Sequence, residues 1–105
     1  MTRGEVYRVR LADARSHEQR GPRYAVVVQA DALLALSTVI VAPTSRGAVD
    51  ASFRPRIEID GQATLVLVDQ LRAVDAERLG PLAGRLGPTE QRDVDDALEL
   101  VLGLA

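Results

Sequence analysis

From Glu5 to Leu11 the chain alternates apolar and polar side chains (EVYRVRL), the period of a strand with one buried face, and Tyr24–Gln29 (YAVVVQ) reads as a second strand. Val26–Val28 in that second strand is too apolar for the edge of a sheet. Between the two, Ala12–Arg23 is polar and holds Gly21-Pro22, the mark of a loop. Asp31–Leu36 has room only for a turn or one helical turn, and Ser37–Pro43 (STVIVAP) predicts a third, central strand followed by a second loop, Ser45–Ser52. Arg54–Ile59 and Ala63–Val68 flank Asp60-Gly61, turn residues that predict a hairpin, and Asp69–Val74 (DQLRAV) continues it across a bulge.

The period then changes. Asp75–Leu79 predicts a short capped helix stopped by Gly80-Pro81. After Gly87-Pro88, Thr89 caps a terminal helix whose buried stripe is Val94, Ala97, Leu98, Val101 and Leu102, with Glu90 at its positive end. Asp93, Asp95, Asp96 and Glu99 fall largely on its solvent side. Many short strands and one closing helix predict a mainly β fold, a small open or barrel-like sheet, in a single domain over residues 1–105.

Composition narrows the chemistry. Of 105 residues 47% are hydrophobic, but one Phe, two Tyr and no Trp make base stacking on aromatic platforms a poor binding device. The net charge of -2 argues against non-specific duplex binding, while all 13 basic residues are Arg, the side chain suited to bidentate phosphate and base-edge contacts. No cysteine is present, so disulfide and thiolate chemistry are excluded, and a single His with scattered carboxylates forms no zinc set; no metal and no cofactor is expected. Apolar runs such as Leu65–Val68 fall far short of the ~18 residues of a membrane span, and with no signal segment ahead of MTRGEVYRV a cytoplasmic location is the default.

Four segments carry a resemblance: SHEQRGPRYAVVV, STVIVAPTS, TLVLVDQLRAVD and the closing GRLGPTEQRDVDDAL. Together they resemble the MazF/PemK family of toxin endoribonucleases over almost the full chain. The family's loop signature, Glu-Gln-x-Gly-x-Arg-Pro before a run of valines, falls on Glu18, Gln19, Gly21 and Arg23, with Tyr24 in place of the proline and Ser16-His17 where glycine and serine are usual. Its threonine after the third strand falls on Thr44. The resemblance implies an SH3-like barrel that forms homodimers, cuts single-stranded RNA (messenger, transfer or ribosomal) and is held inactive by a cognate antitoxin.

RNA carries its own nucleophile, the 2'-OH. A metal-free ribonuclease aligns it with phosphorus, takes its proton, stabilises charge on the phosphoryl oxygens and protonates the leaving 5'-oxygen. Arg23 is the expected phosphoryl clamp, since a guanidinium donates two parallel hydrogen bonds and is a poor base. Thr44 offers a hydroxyl to a phosphoryl oxygen or the attacking group, with a turn hydroxyl as the bland alternative. Glu18 takes the 2'-OH proton only if its pKa is raised; beside Arg20 and Arg23, orienting Arg23 is its simpler task. His17, Gln19, Arg20, Ser45, Arg46 and Gln70 are candidates for RNA contacts, and Arg72 has Asp69 or Asp75 as alternative partners. Two rival readings keep the same barrel: a CcdB-like toxin that binds gyrase, and a module of this fold without activity.

Overall fold

The computed structural model describes residues 1–10 and 23–104. Among these residues seven strands form a curled antiparallel sheet: β1 (Glu5–Val9), β2 (Tyr24–Val27), β3 (Thr38–Ser45), β4 (Arg56–Ile59), β5 (Gln62–Val66), β6 (Arg72–Asp75) and β7 (Leu79–Arg85). The spatial order is β4-β5-β3-β2-β1-β7, with β6 also paired to β3, and one helix, α1 (Pro88–Leu102), closes the chain. The expected mainly β, barrel-like architecture with a C-terminal helix is the one observed.

The triple valine has a direct structural cause. β2 lies between β1 and β3 and is covered on both faces, so Val26 and Val28 join one apolar cluster while Ala25 and Val27 join another. The first cluster packs Ile57, Ile59 and Val66 of the β4–β5 hairpin beneath Val94 and Ala97 of α1. On the opposite face, Val9, Val39, Val41 and Val74 form the second, with Tyr7, Leu34 and Leu79 against it. The hairpin turns as the sequence predicts: Asp60 (φ 54°) and Gly61 (φ 76°) both occupy the left-handed region, and Ile59 pairs with Gln62 across a two-residue loop.

Several expectations need correction. The segment Asp75–Leu79 is a single 3-10 turn, Ala76–Arg78, and Gly80-Pro81 does not stop the chain but lies inside β7. Among the described residues β7 pairs with β1 alone, so Pro81 sits in an edge strand, where a missing N–H breaks no ladder. The helix cap is Gly87 rather than Thr89, because Pro88 takes the first helical position and Glu90 Oε1 accepts the Gly87 N–H at 2.9 Å. Leu102 lies outside the buried stripe, 53% exposed, and Asp95 is half-buried, accepting from Arg3 at 2.8 Å and from Gln91 at 3.0 Å.

The continuation of β5 is subtler. DQLRAV does carry on along the same edge of β3, but through a 3-10 turn, Val68–Gln70, before β6 begins. Between the pairs Thr44↔Val66 and Val41↔Arg72, three steps on β3 oppose six on the segment from β5 to β6, so the turn is a three-residue insertion in the ladder. Among the described residues no helix is long and apolar enough to cross a membrane.

Candidate functional site

The β2–β3 ladder runs Val27↔Val41, Val26↔Ala42 and Ala25↔Pro43. One step further Tyr24 comes opposite Thr44, and the Thr44 hydroxyl donates to the Tyr24 carbonyl at 3.1 Å. Arg23 directly precedes Tyr24, and its own carbonyl accepts the Val9 N–H at 3.0 Å, which pins its backbone to β1. Two residues 21 positions apart in sequence thus become neighbours at one end of adjacent strands. His17, Glu18, Gln19 and Arg20 lie outside the described residues; they belong to the segment that leads directly into Arg23.

Thr44 and Ser45 are not loop residues but the last two of β3, paired there with Val66 and Leu65 of β5. The position limits what each hydroxyl can do. Thr44 is 8% exposed and spends its one proton on Tyr24, so in this arrangement only its lone pairs remain, as acceptors. Ser45 Oγ accepts the Gly47 N–H at 3.2 Å, which leaves its proton for an outside acceptor. Of the two hydroxyls, Ser45 is the one arranged to donate.

Arg46 is exposed and its Nη1 donates to Gln62 Oε1. Gln62 is absent from the sequence-derived candidates, since only the β3–β5 register brings the start of β5 to Arg46. Gln70 stands exposed on the 3-10 insertion, whose other members are fixed. Val68 is buried in the core and Asp69 is gripped by Arg54 through two bonds, of 3.1 and 2.9 Å. Hydrogen bonds from Arg54 hold the Asp69 carboxyl below its usual range and raise the guanidinium in return. Asp69 is therefore taken, and Arg72 forms no ion pair within 4.0 Å among the described residues.

A guanidinium, a donor hydroxyl, a second arginine and an amide carried near the ends of neighbouring strands are groups that can hold an anion. Comparison with known sequences makes this specific: the chain belongs to the PemK-like, MazF-like toxins of type II toxin-antitoxin systems, whose family model matches residues 2–102. It is 43% identical to Rv3098A of Mycobacterium tuberculosis, a protein with a provisional designation as a toxin, over 97% of each chain. It is 33% identical to the endoribonuclease MazF of Staphylococcus epidermidis, over 97% of this chain and 91% of that one. Among solved structures, a mycobacterial endoribonuclease in complex with its cognate antitoxin superposes with a TM-score of 0.84 at 20% identity, covering 100% of this chain and 97% of the other. MazF of Deinococcus radiodurans gives 0.80 at 21% identity, over 99% and 97%. At such identities these structures speak for the fold.

Proposed function

We propose that the protein is a toxin acting as a metal-independent endoribonuclease on single-stranded RNA, a single toxin domain working in the cytoplasm as a homodimer and restrained by a cognate antitoxin. The observation that carries this reading is that the backbones of Arg23 and Thr44 lie at the same end of adjacent strands, in a chain 33% identical to an endoribonuclease. Arg23 clamps the phosphoryl oxygens as charge grows on them, the Ser45 proton and Arg46 hold neighbouring oxygens, and Thr44 accepts from the attacking 2'-OH side. Glu18 orients Arg23, while His17, Gln19, Arg20 and Gln70 position the strand and meet base edges. Attack by the 2'-OH expels the 5'-oxygen and leaves a 2',3'-cyclic phosphate and a 5'-hydroxyl, so DNA is bound but not cut. The antitoxin fits the same arginines, since an acidic segment presents carboxylates where RNA presents phosphates.

The test is incubation of the purified protein with a long mixed-sequence RNA in the presence of EDTA, mapping the cut positions and the new ends. Cuts at a short motif with 2',3'-cyclic phosphate and 5'-hydroxyl ends are the expected result. RNA left intact at high protein excess, on sequence long enough to hold rare motifs, overturns the reading and returns the weight to gyrase binding or an inactive module.

A further inference from the structure

On the far side of β1 from Arg23 lies a cleft of about 740 Å³, lined by Arg8, Arg10 and Arg78 together with Asp75, Glu77 and the start of β7. Val9 ties the two places together. Its N–H bonds to the Arg23 carbonyl on one side, and on the other it pairs with Leu79 of β7, which lines the cleft. The cleft thus begins two strand spacings from the Arg23 backbone, roughly 10 Å. Gly80 keeps its floor tight: a Cβ there would stand 3.3 Å from the Arg8 carbonyl, so the glycine lets β7 lie close against β1.

The three arginines, like Arg72, are not among those matched by a carboxylate in the described residues. Arg3, Arg54, Arg56 and Arg85 are each matched by a carboxylate. Arg8, Arg10 and Arg78 are exposed and make no ion pair within 4.0 Å among the described residues. Asp75, although it lines the same cleft, accepts the Glu77 N–H at 3.4 Å and stabilises the 3-10 turn. Set against the carboxylates of Asp75 and Glu77, the three guanidinium groups leave the cleft with an excess of positive charge in a chain of net charge -2. A guanidinium left without a carboxylate in such a cleft is suited to phosphate oxygens, which it meets with two parallel N–H groups.

We infer that this cleft is a subsite for backbone phosphates of the RNA flanking the cut, an inference that rests on the ribonuclease reading above. Arg8 on β1 and Arg78 on the turn before β7 hold the phosphates, and Arg10, directly after the end of β1, lines the cleft beside them. The subsite positions substrate and takes no part in the chemistry.

The experiment compares the parent protein with R8Q/R78Q, which removes two exposed charges and no core contact. Affinity for a single-stranded RNA bearing the mapped motif, with a 2'-deoxy sugar at the cut site, is measured against salt concentration, and kcat and KM on the cleavable version are measured alongside. The subsite requires the salt slope to fall by about 1.4, the loss of two phosphate contacts on a single strand at ~0.7 each, and KM to rise about tenfold with kcat nearly unchanged. R8K/R78K restores most of the slope. An RNA trimmed on the flank that enters the cleft no longer distinguishes parent from R8Q/R78Q. A parent that cuts RNA while R8Q/R78Q keeps its slope and KM overturns the subsite alone. So does an R8Q/R78Q protein with normal RNA affinity and weakened binding of an acidic antitoxin peptide, which makes the cleft a protein-docking surface. If the parent leaves RNA intact, the ribonuclease reading fails and the subsite fails with it.

Discussion

At the scale of single residues, the assigned roles separate by what each side chain already holds. Arg23 is half-buried with its backbone fixed by Val9, so R23A removes a guanidinium without loosening the strand. The expected loss is about 10²–10³-fold in kcat/KM, the scale of one electrostatic donor to a developing oxyanion, with an unchanged denaturation midpoint. R23K keeps the charge but not the fork and recovers only part of the activity. If R23A cuts near the parent rate, the clamp lies elsewhere. Thr44 behaves differently because its hydroxyl is structural as well as near the site. T44V removes the hydroxyl bond to the Tyr24 carbonyl in a buried setting and is expected to cost about 1 kcal/mol, whereas T44S keeps the bond. Urea midpoints for the two variants, read beside cleavage rates well below those midpoints, separate the structural share from the chemical one.

At the scale of elements, one carboxylate joins the helix to the sheet. Glu90 accepts from Gly87 with one oxygen and from the Glu58 N–H of β4 with the other, both at 2.9 Å. E90A frees two donors at once and is expected to lower stability by about 1–2 kcal/mol, checked by urea denaturation. The same helix start shows what the sequence conceals: Thr89 is the better capping side chain, yet Pro88 prefers the first helical position and moves the boundary to Gly87. β1 to β5 are legible because each combines alternation or a fully apolar run with a turn signal. β7 is not, since Gly80-Pro81 punctuates most chains and only an edge position excuses it. The site divides the same way. Arg23 and Thr44 stand out through a recognisable motif, whereas the Arg46–Gln62 bond and the Arg8, Arg10, Arg78 cleft depend on registers that no local pattern encodes.

At the scale of the whole molecule, the start of the chain is fastened to the last strand through one buried carboxylate. Glu5, 6% exposed, accepts from the Tyr7 hydroxyl at 2.7 Å, from the Thr2 N–H at 2.8 Å and from Arg85 of β7 at 2.8 Å. The bond from Tyr7, helped by Thr2 and Arg85, outweighs burial and holds the Glu5 carboxyl below its ordinary value of 4.5. Its contribution to stability is complete above that value and is lost as pH falls through the lower folded-state value. Tyr7 responds in the opposite direction: burial first, and then the bond to Glu5, push its hydroxyl from 10.0 up to about 12. The stability it adds is complete below pH 10.0 and disappears as pH rises to about 12, because the unfolded chain ionises first. One pair thus shapes both limbs of the pH–stability curve, and single substitutions tell the contributions apart. Y7F should remove this alkaline loss and also move the acid loss to higher pH, since Glu5 then lacks its strongest donor. E5Q should flatten the acid limb while leaving much of the alkaline one, because burial acts on Tyr7 without Glu5. Urea midpoints across both limbs check this, and an acid limb in Y7F that coincides with the parent's would show that Tyr7 does not hold the Glu5 proton off.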